Sequence, residues 1–65
     1  MKRRVICEDD LMQVIDDDGC GHDAHVIDRN DPYAALEVIA RWGREFGVEP
    51  FAAILALRRY LNDEN

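Results

Sequence analysis

His22-Asp23-Ala24-His25-Val26-Ile27-Asp28-Arg29-Asn30-Asp31-Pro32-Tyr33-Ala34-Ala35-Leu36 changes period half-way along its length. Up to Asp28 the residues alternate, with Ala24 and Val26 on one side and Asp23, His25 and Ile27 on the other, which is the period of a half-buried strand. From Pro32 onward the apolar positions Ala35/Leu36, Ile39/Ala40, Gly43 and Phe46 recur at three-four spacing, the stripe of a one-faced helix. Between the two, Asp31 is a good N-cap and Pro32 suits the first helical position, where no amide N–H is needed. A strand that hands over to a helix at this point makes the chain α+β.

Toward the amino terminus the strand character continues. Lys2 to Cys7 is a short β-favouring run whose alternation puts Val5 and Cys7 on one face and Arg4 with Ile6 on the other. Glu8-Asp9-Asp10 breaks it, and Leu11-Met12-Gln13-Val14-Ile15 follows closely enough for a three-to-four-residue connection to fold the two back as a hairpin. Asp16-Asp17-Asp18-Gly19-Cys20-Gly21 is the strongest turn signal in the chain, since aspartate supplies turn hydrogen bonds and glycine positive φ angles. Residues 1–29 therefore read as an acidic three-stranded antiparallel meander.

Toward the carboxyl terminus the helical character continues. Glu37, Arg41, Arg44 and Glu45 lie mostly off the apolar stripe, and Glu37 with Arg41 forms a favourably oriented i,i+4 pair. Trp42 and Tyr33 fall beside the stripe and are expected to pack at the core or its edge. Gly47 is the expected stop, a left-handed cap without a Cβ penalty. Val48-Glu49-Pro50 restarts the pattern into Phe51-Ala52-Ala53-Ile54-Leu55-Ala56-Leu57, and seven successive apolar residues exceed one narrow stripe. The second helix is accordingly expected to lie centrally in the core or to be buried on two sides, in the latter case by a second subunit. Arg58 and Arg59 are placed in its last turn, where they complement the helix dipole. The expected fold is a three-stranded antiparallel sheet followed by two helices, residues 31–62, packed on one face.

Size bounds the function. A single domain of 65 residues buries only about 60% of its unfolded surface, too little for a buried active site with its supporting shell, so a non-enzymatic protein without a cofactor is expected. With 48% apolar and 34% charged residues the chain has the composition of a folded domain. Met1-Lys2-Arg3-Arg4 has the charge of a signal peptide, but Val5-Ile6-Cys7 is cut off at once by acids, and no apolar segment approaches the roughly 20 residues of a membrane span. A soluble, cytoplasmic protein with free Cys7 and Cys20 thiols is expected.

Charge is the distinctive feature. Glu8 to Asp31 holds nine carboxylates against one base, Arg29, for about −8, whereas the whole chain carries −6. The acidity thus belongs to one region. Glu8, Asp9, Asp10, Asp16, Asp17, Asp18, Asp23 and Asp28 are the candidate partner-binding residues, with the Asp16-Asp17-Asp18 triplet leading, and Asp31 is assigned to the helix cap. Same-face strand positions recur about every 6.6 Å, against one phosphate per about 3.4 Å of each DNA strand. Carboxylates from adjacent strands and the triplet turn must therefore combine into one band to occupy a lysine- and arginine-lined groove. Replacing the triplet by asparagine is expected to leave the fold intact and weaken such binding.

Other chemistries fit less well. Cys20, His22 and His25, with Cys7 from a neighbouring strand, are zinc-competent, but the spacing matches no zinc signature and His22 and His25 point to opposite faces of a strand. An EF-hand register starting at Asp16 places Asp18 at position three and Gly21 at six, yet Cys20 and Ile27 stand where calcium ligands belong. No metal is expected. The chain has no serine or threonine, and a Cys20 nucleophile with His22 or His25 as base lacks an orienting third group.

A compact, acidic chain with acidic strand-and-turn residues from Glu8 to Asp31 before a helical pair resembles the small anti-CRISPR proteins carried by phages and mobile elements, in particular inhibitors of type I-C systems. The resemblance implies an inhibitor without turnover, a DNA mimic on a basic surface of the CRISPR effector (Cascade), with the acidic positions above as contacts and neither nucleic acid nor membrane bound directly. Lys2, Arg3 and Arg4 depart from a uniformly anionic mimic. The alternative class is an antitoxin-like or regulatory interaction protein that dimerises through Phe51 to Leu61; a monomer argues against it.

Overall fold

The structure, a computed structural model, describes residues 2–63. Its elements are β1 (Arg3–Glu8), β2 (Leu11–Asp16), β3 (Gly21–Val26), α1 (Pro32–Glu45) and α2 (Pro50–Asp63). The strands form an antiparallel sheet in the order β1-β2-β3, followed by the two helices, so the α+β expectation holds.

The first hairpin is tighter than expected. Arg3 pairs with Asp16 and Glu8 with Leu11, which leaves only Asp9 and Asp10 in the connection, with φ of 53° and 59°. Two positive φ angles in a two-residue loop make a type I′ turn, whose twist matches that of the strands it joins. Asn-Gly and Asp-Gly are the usual sequences of such a turn; here Asp9 suits the first position and Asp10 takes the left-handed conformation where glycine is usual, at a cost of about 1–2 kcal/mol.

The second connection runs the other way in its use of acids. Asp16 is only 7% exposed, and its Oδ1 accepts the amides of Asp18 and Cys20, both at 3.1 Å. Gly19, at φ +86°, completes the reversal. Beyond it the register slips: Val14 pairs with Asp23 but Ile15 with Gly21, leaving His22 as the extra residue of a β-bulge. Such a bulge re-aims side chains, and both His22 and Asp23 reach partners on the helix side of the sheet. His25, which lies opposite buried Met12, lines the same side with α1. The expectation that His22 and His25 oppose one another is therefore corrected by the bulge.

The core draws Val5, Met12, Val14, Ile27, Ala35, Val38, Ile39, Trp42, Val48, Ala53 and Leu57 from the sheet, both helices and the loops between them. On α1 the buried residues are Ala35, Val38, Ile39 and Trp42, a stripe turned by about one position from the expected one. Leu36 and Ala40 consequently face outward and Trp42 is fully buried. An indole buries far more area than the alanine and leucine it displaces, and its N–H has a partner on β3. Tyr33 is 74% exposed, outside the core altogether.

Helix ends depart from expectation in two places. Asp31 occupies the N-cap position of α1, but with ψ at 74° its side chain makes no capping bond; an extended ψ is what aims a capping oxygen at the first turn. The turn before α1 belongs instead to Asp28, whose Oδ1 accepts the Asn30 amide at 2.9 Å. At α2 the cap is Glu49, which accepts the amides of Phe51 and Ala52. Gly47 terminates α1 at φ +71°, as its sequence position predicts. Helix α2 extends to Asp63, so Arg58 and Arg59 lie before its last turn, which holds no base. Of the seven-residue apolar run only Ala53 and Leu57 are buried, while Phe51 and Ile54 are exposed. The second helix is thus one-sided, neither central nor enclosed.

Candidate functional site

The sheet separates the acidic residues into two groups. β2 spans five residue steps, about 17 Å, with the Asp9–Asp10 turn at one end and the Asp16–Gly21 loop at the other. Two groups this far apart lie beyond the screening distance of about 8 Å and do not form one band. The nine carboxylates are brought together in parts.

At the hairpin end the two loops, residues 8–10 and 28–31, carry five carboxylates (Glu8, Asp9, Asp10, Asp28 and Asp31) and one guanidinium, Arg29. All of these residues are exposed. The loops are joined by the Ile27 amide, which donates to the Asp10 carbonyl at 2.7 Å. Asp10 is also held by its side chain: Tyr60 Oη donates to Oδ1 at 2.8 Å and accepts the Asp10 amide at 2.6 Å. Arg29 Nε sits 3.2 Å from the same Oδ1, with its guanidinium 5.0 Å above the Tyr60 ring. This clasp fixes the tip of the hairpin against α2 and leaves Asp9 projecting beyond it.

At the other end the acids turn inward. His22 Nε2 lies 3.2 Å from Asp16 Oδ2, and the His22 ring packs 5.8 Å from that of Phe46. Burial pushes the Asp16 carboxyl up, but the bonds from His22 and from the Cys20 and Asp18 amides outweigh it and hold the group below its ordinary value. Asp23 accepts Trp42 Nε1–H at 2.9 Å and Arg41 at 3.2 Å. The indole bond first, with the Ala24 amide and Arg41 behind it, holds this carboxyl low as well. Asp17 and Asp18 remain exposed, yet Asp17 shares a groove with Lys2, Arg3, Arg4 and Glu49, where the signs mix.

The leading role given to the triplet is therefore redistributed. Asp16 and Asp23 serve the fold, and an asparagine triplet would perturb the loop it was meant to leave intact, because a side-chain amide at position 16 offers His22 no carboxylate. The exposed, concentrated acids are Glu8, Asp9, Asp10 and Asp28. The inward roles of Asp16 and Asp23 were hidden by the bulge, which two-residue alternation does not reveal; the Trp42–Asp23 bond has no signature in sequence spacing.

The remaining chemistry is sparse. Among the described residues no three of histidine, cysteine, aspartate and glutamate converge as a metal site. Cys7 and Cys20 are free and sit near opposite ends of β2, well beyond the roughly 7 Å Cα separation of a disulfide. Burial pushes the Cys7 thiol up, away from the thiolate a nucleophile needs. Asp16 does orient His22, the third group that the sequence failed to show, but no hydrogen bond joins His22 to the Cys20 sulfur. Among the described residues no helix is long and apolar enough to cross a membrane. No family model, no curated protein and no solved structure matches the chain.

Proposed function

We propose that the chain is a non-enzymatic inhibitor that presents its hairpin end to a basic, nucleic-acid-binding protein surface. The observation that carries this reading is the pair of exposed loops with five carboxylates and one base, Arg29. One further feature supports it. Asp10 occupies the left-handed second position of the turn, where glycine is usual, so an acid is kept there at some expense of stability. Together with the likeness in size and charge pattern to phage-borne anti-CRISPR proteins, the target class is the DNA-binding surface of a CRISPR effector in the host cytoplasm, type I-C Cascade being the first to test.

The test is competition. Added to purified Cascade, the chain is expected to lower target-DNA binding, more strongly at low salt than at high salt, as an electrostatic competitor must. The Asp9→Asn/Asp28→Asn variant retains the turn acceptors and is expected to fold normally but inhibit less. Undiminished DNA binding in excess protein, or equal inhibition by the variant, overturns the reading. A second reading, an antitoxin-like protein that pairs through α2, draws on the exposure of Phe51 and Ile54 and requires a dimer broken by Ile54→Glu.

A further inference from the structure

Both helices pack on one face of the sheet, and the described residues leave the other face bare. Strand register arranges that face in three rows: Glu8, Leu11 and Val26; Ile6, Gln13 and Ala24; Arg4, Ile15 and Gly21. An open antiparallel face is ordinarily polar. Here five of the nine positions are apolar, with Ile6 36% and Val26 68% exposed. Ile15 is 8% exposed and stands outside the core cluster.

We propose that this face binds a second copy of the chain, sheet to sheet, about a two-fold axis that runs across the strands through the row Ile6, Gln13 and Ala24. That axis keeps each strand over its own copy and reverses its direction. Arg4, at one corner, then lies over the partner's Glu8, and Glu8 over the partner's Arg4, so both corner charges are matched twice. Ile15 lies over the partner's Leu11, Ile6 over its own copy, and the Val26 side chain over the partner's Gly21, where no side chain stands. A two-fold along the strands would instead set Arg4 over Gly21 and Glu8 over Val26, matching neither charge. Charge and volume therefore both choose the first axis.

The groove between the helices, lined by Pro32, Leu36, Ile54, Leu57, Leu61 and Arg58 among others, is also apolar, but Arg58 is its one charge and a two-fold offers it no acid. Area limits the strength of the sheet pairing. Three strands of six residues cover about 14 by 17 Å, well short of the roughly 800 Å² per partner of a standard interface. A chain with 4531 Å² of surface commits only a small share of it, so the dimer is a reversible one. Asp9, Asp10 and Asp28 lie beyond the covered rows and stay accessible, while Glu8 is taken into the pairing and leaves each hairpin end one exposed carboxylate fewer.

Sedimentation of the full chain over a concentration series up to about millimolar, where weak interfaces of this size associate, reads the outcome. The expected result is a concentration-dependent dimer that Ile6→Glu abolishes with an unchanged far-UV spectrum. Arg4→Glu alone and Glu8→Arg alone should each weaken it about tenfold, since two symmetric pairs turn from attraction to repulsion. The Arg4→Glu/Glu8→Arg double variant should restore it. A monomer at every concentration, a dimer that survives Ile6→Glu or is broken by Leu36→Glu instead, or a double variant as weak as the singles, overturns the proposal.

Discussion

The two acidic turns of the sheet are rich in the same residue and use it in opposite directions. At the Asp16–Gly21 loop a carboxylate folds inward to satisfy its own loop amides and His22, and Asp23 nearby satisfies a buried indole. At the Asp9–Asp10 turn the loop is too short for such service, and the chain accepts two left-handed residues to carry acids there. Aspartate count alone therefore says little about surface charge. A carboxylate followed by a loop long enough to offer it amides becomes part of the fold; in a two-residue turn there are no such amides, so Asp9 faces solvent and Asp10 turns to the distant Tyr60 and Arg29.

The contrast can be broken hardest at the inward end. Trp42→Ala removes the core indole and leaves Asp23 without its main donor; a loss of about 3–5 kcal/mol is comparable with the total stability of roughly 5 kcal/mol for a small domain. No cooperative thermal transition should remain. Acid provides the next largest effect. Asp16 and Asp23 are held below their ordinary value of 3.8 when folded, so the unfolded chain binds protons more readily. Their contribution is complete above that value and is lost as pH falls below it toward the folded values. Melting temperature should drop steeply below pH 4, and Asp16→Asn and Asp23→Asn should each flatten that drop.

The outward end gives smaller responses. Tyr60→Phe removes the hydroxyl that both donates to and accepts from Asp10; chemical denaturation should show a loss of about 1 kcal/mol, the ordinary worth of such bonds. Asp9→Gly should move the other way, gaining about 0.5 kcal/mol by relieving the left-handed aspartate at φ 53°. A loss there would mean that Asp9 is held as tightly as Asp16, and the distinction between the turns would fail.

Much of the fold was legible from period and punctuation. Alternation around Val5, Ala24 and Ile27, the proline at position 32 and the glycine at 47 placed three strands and two helices correctly because each acts locally. Where long-range contacts decide, the sequence fell short. The α1 stripe turned toward Trp42 because an aspartate on β3 waits for its N–H, and nothing within α1 records that. Likewise the carboxylate group looked like one stretch along the chain, whereas β2 holds its halves a strand's length apart. The sheet's bare face was implicit in the alternation of Ile6, Leu11 and Val26, but only the register shows which residues share a row.

The clasp between Asp10 and Tyr60 joins residues fifty positions apart. During synthesis the hairpin tip emerges long before its anchor. Until Tyr60 is translated, the tip lacks its pin and α2 has not closed over β1, so the acidic loops acquire their final orientation only when the last turns of the second helix dock. Contacts of such long range tend to form late in folding. A ribosome stalled before Tyr60 would thus display a nascent hairpin whose amides near Asp10 still exchange freely.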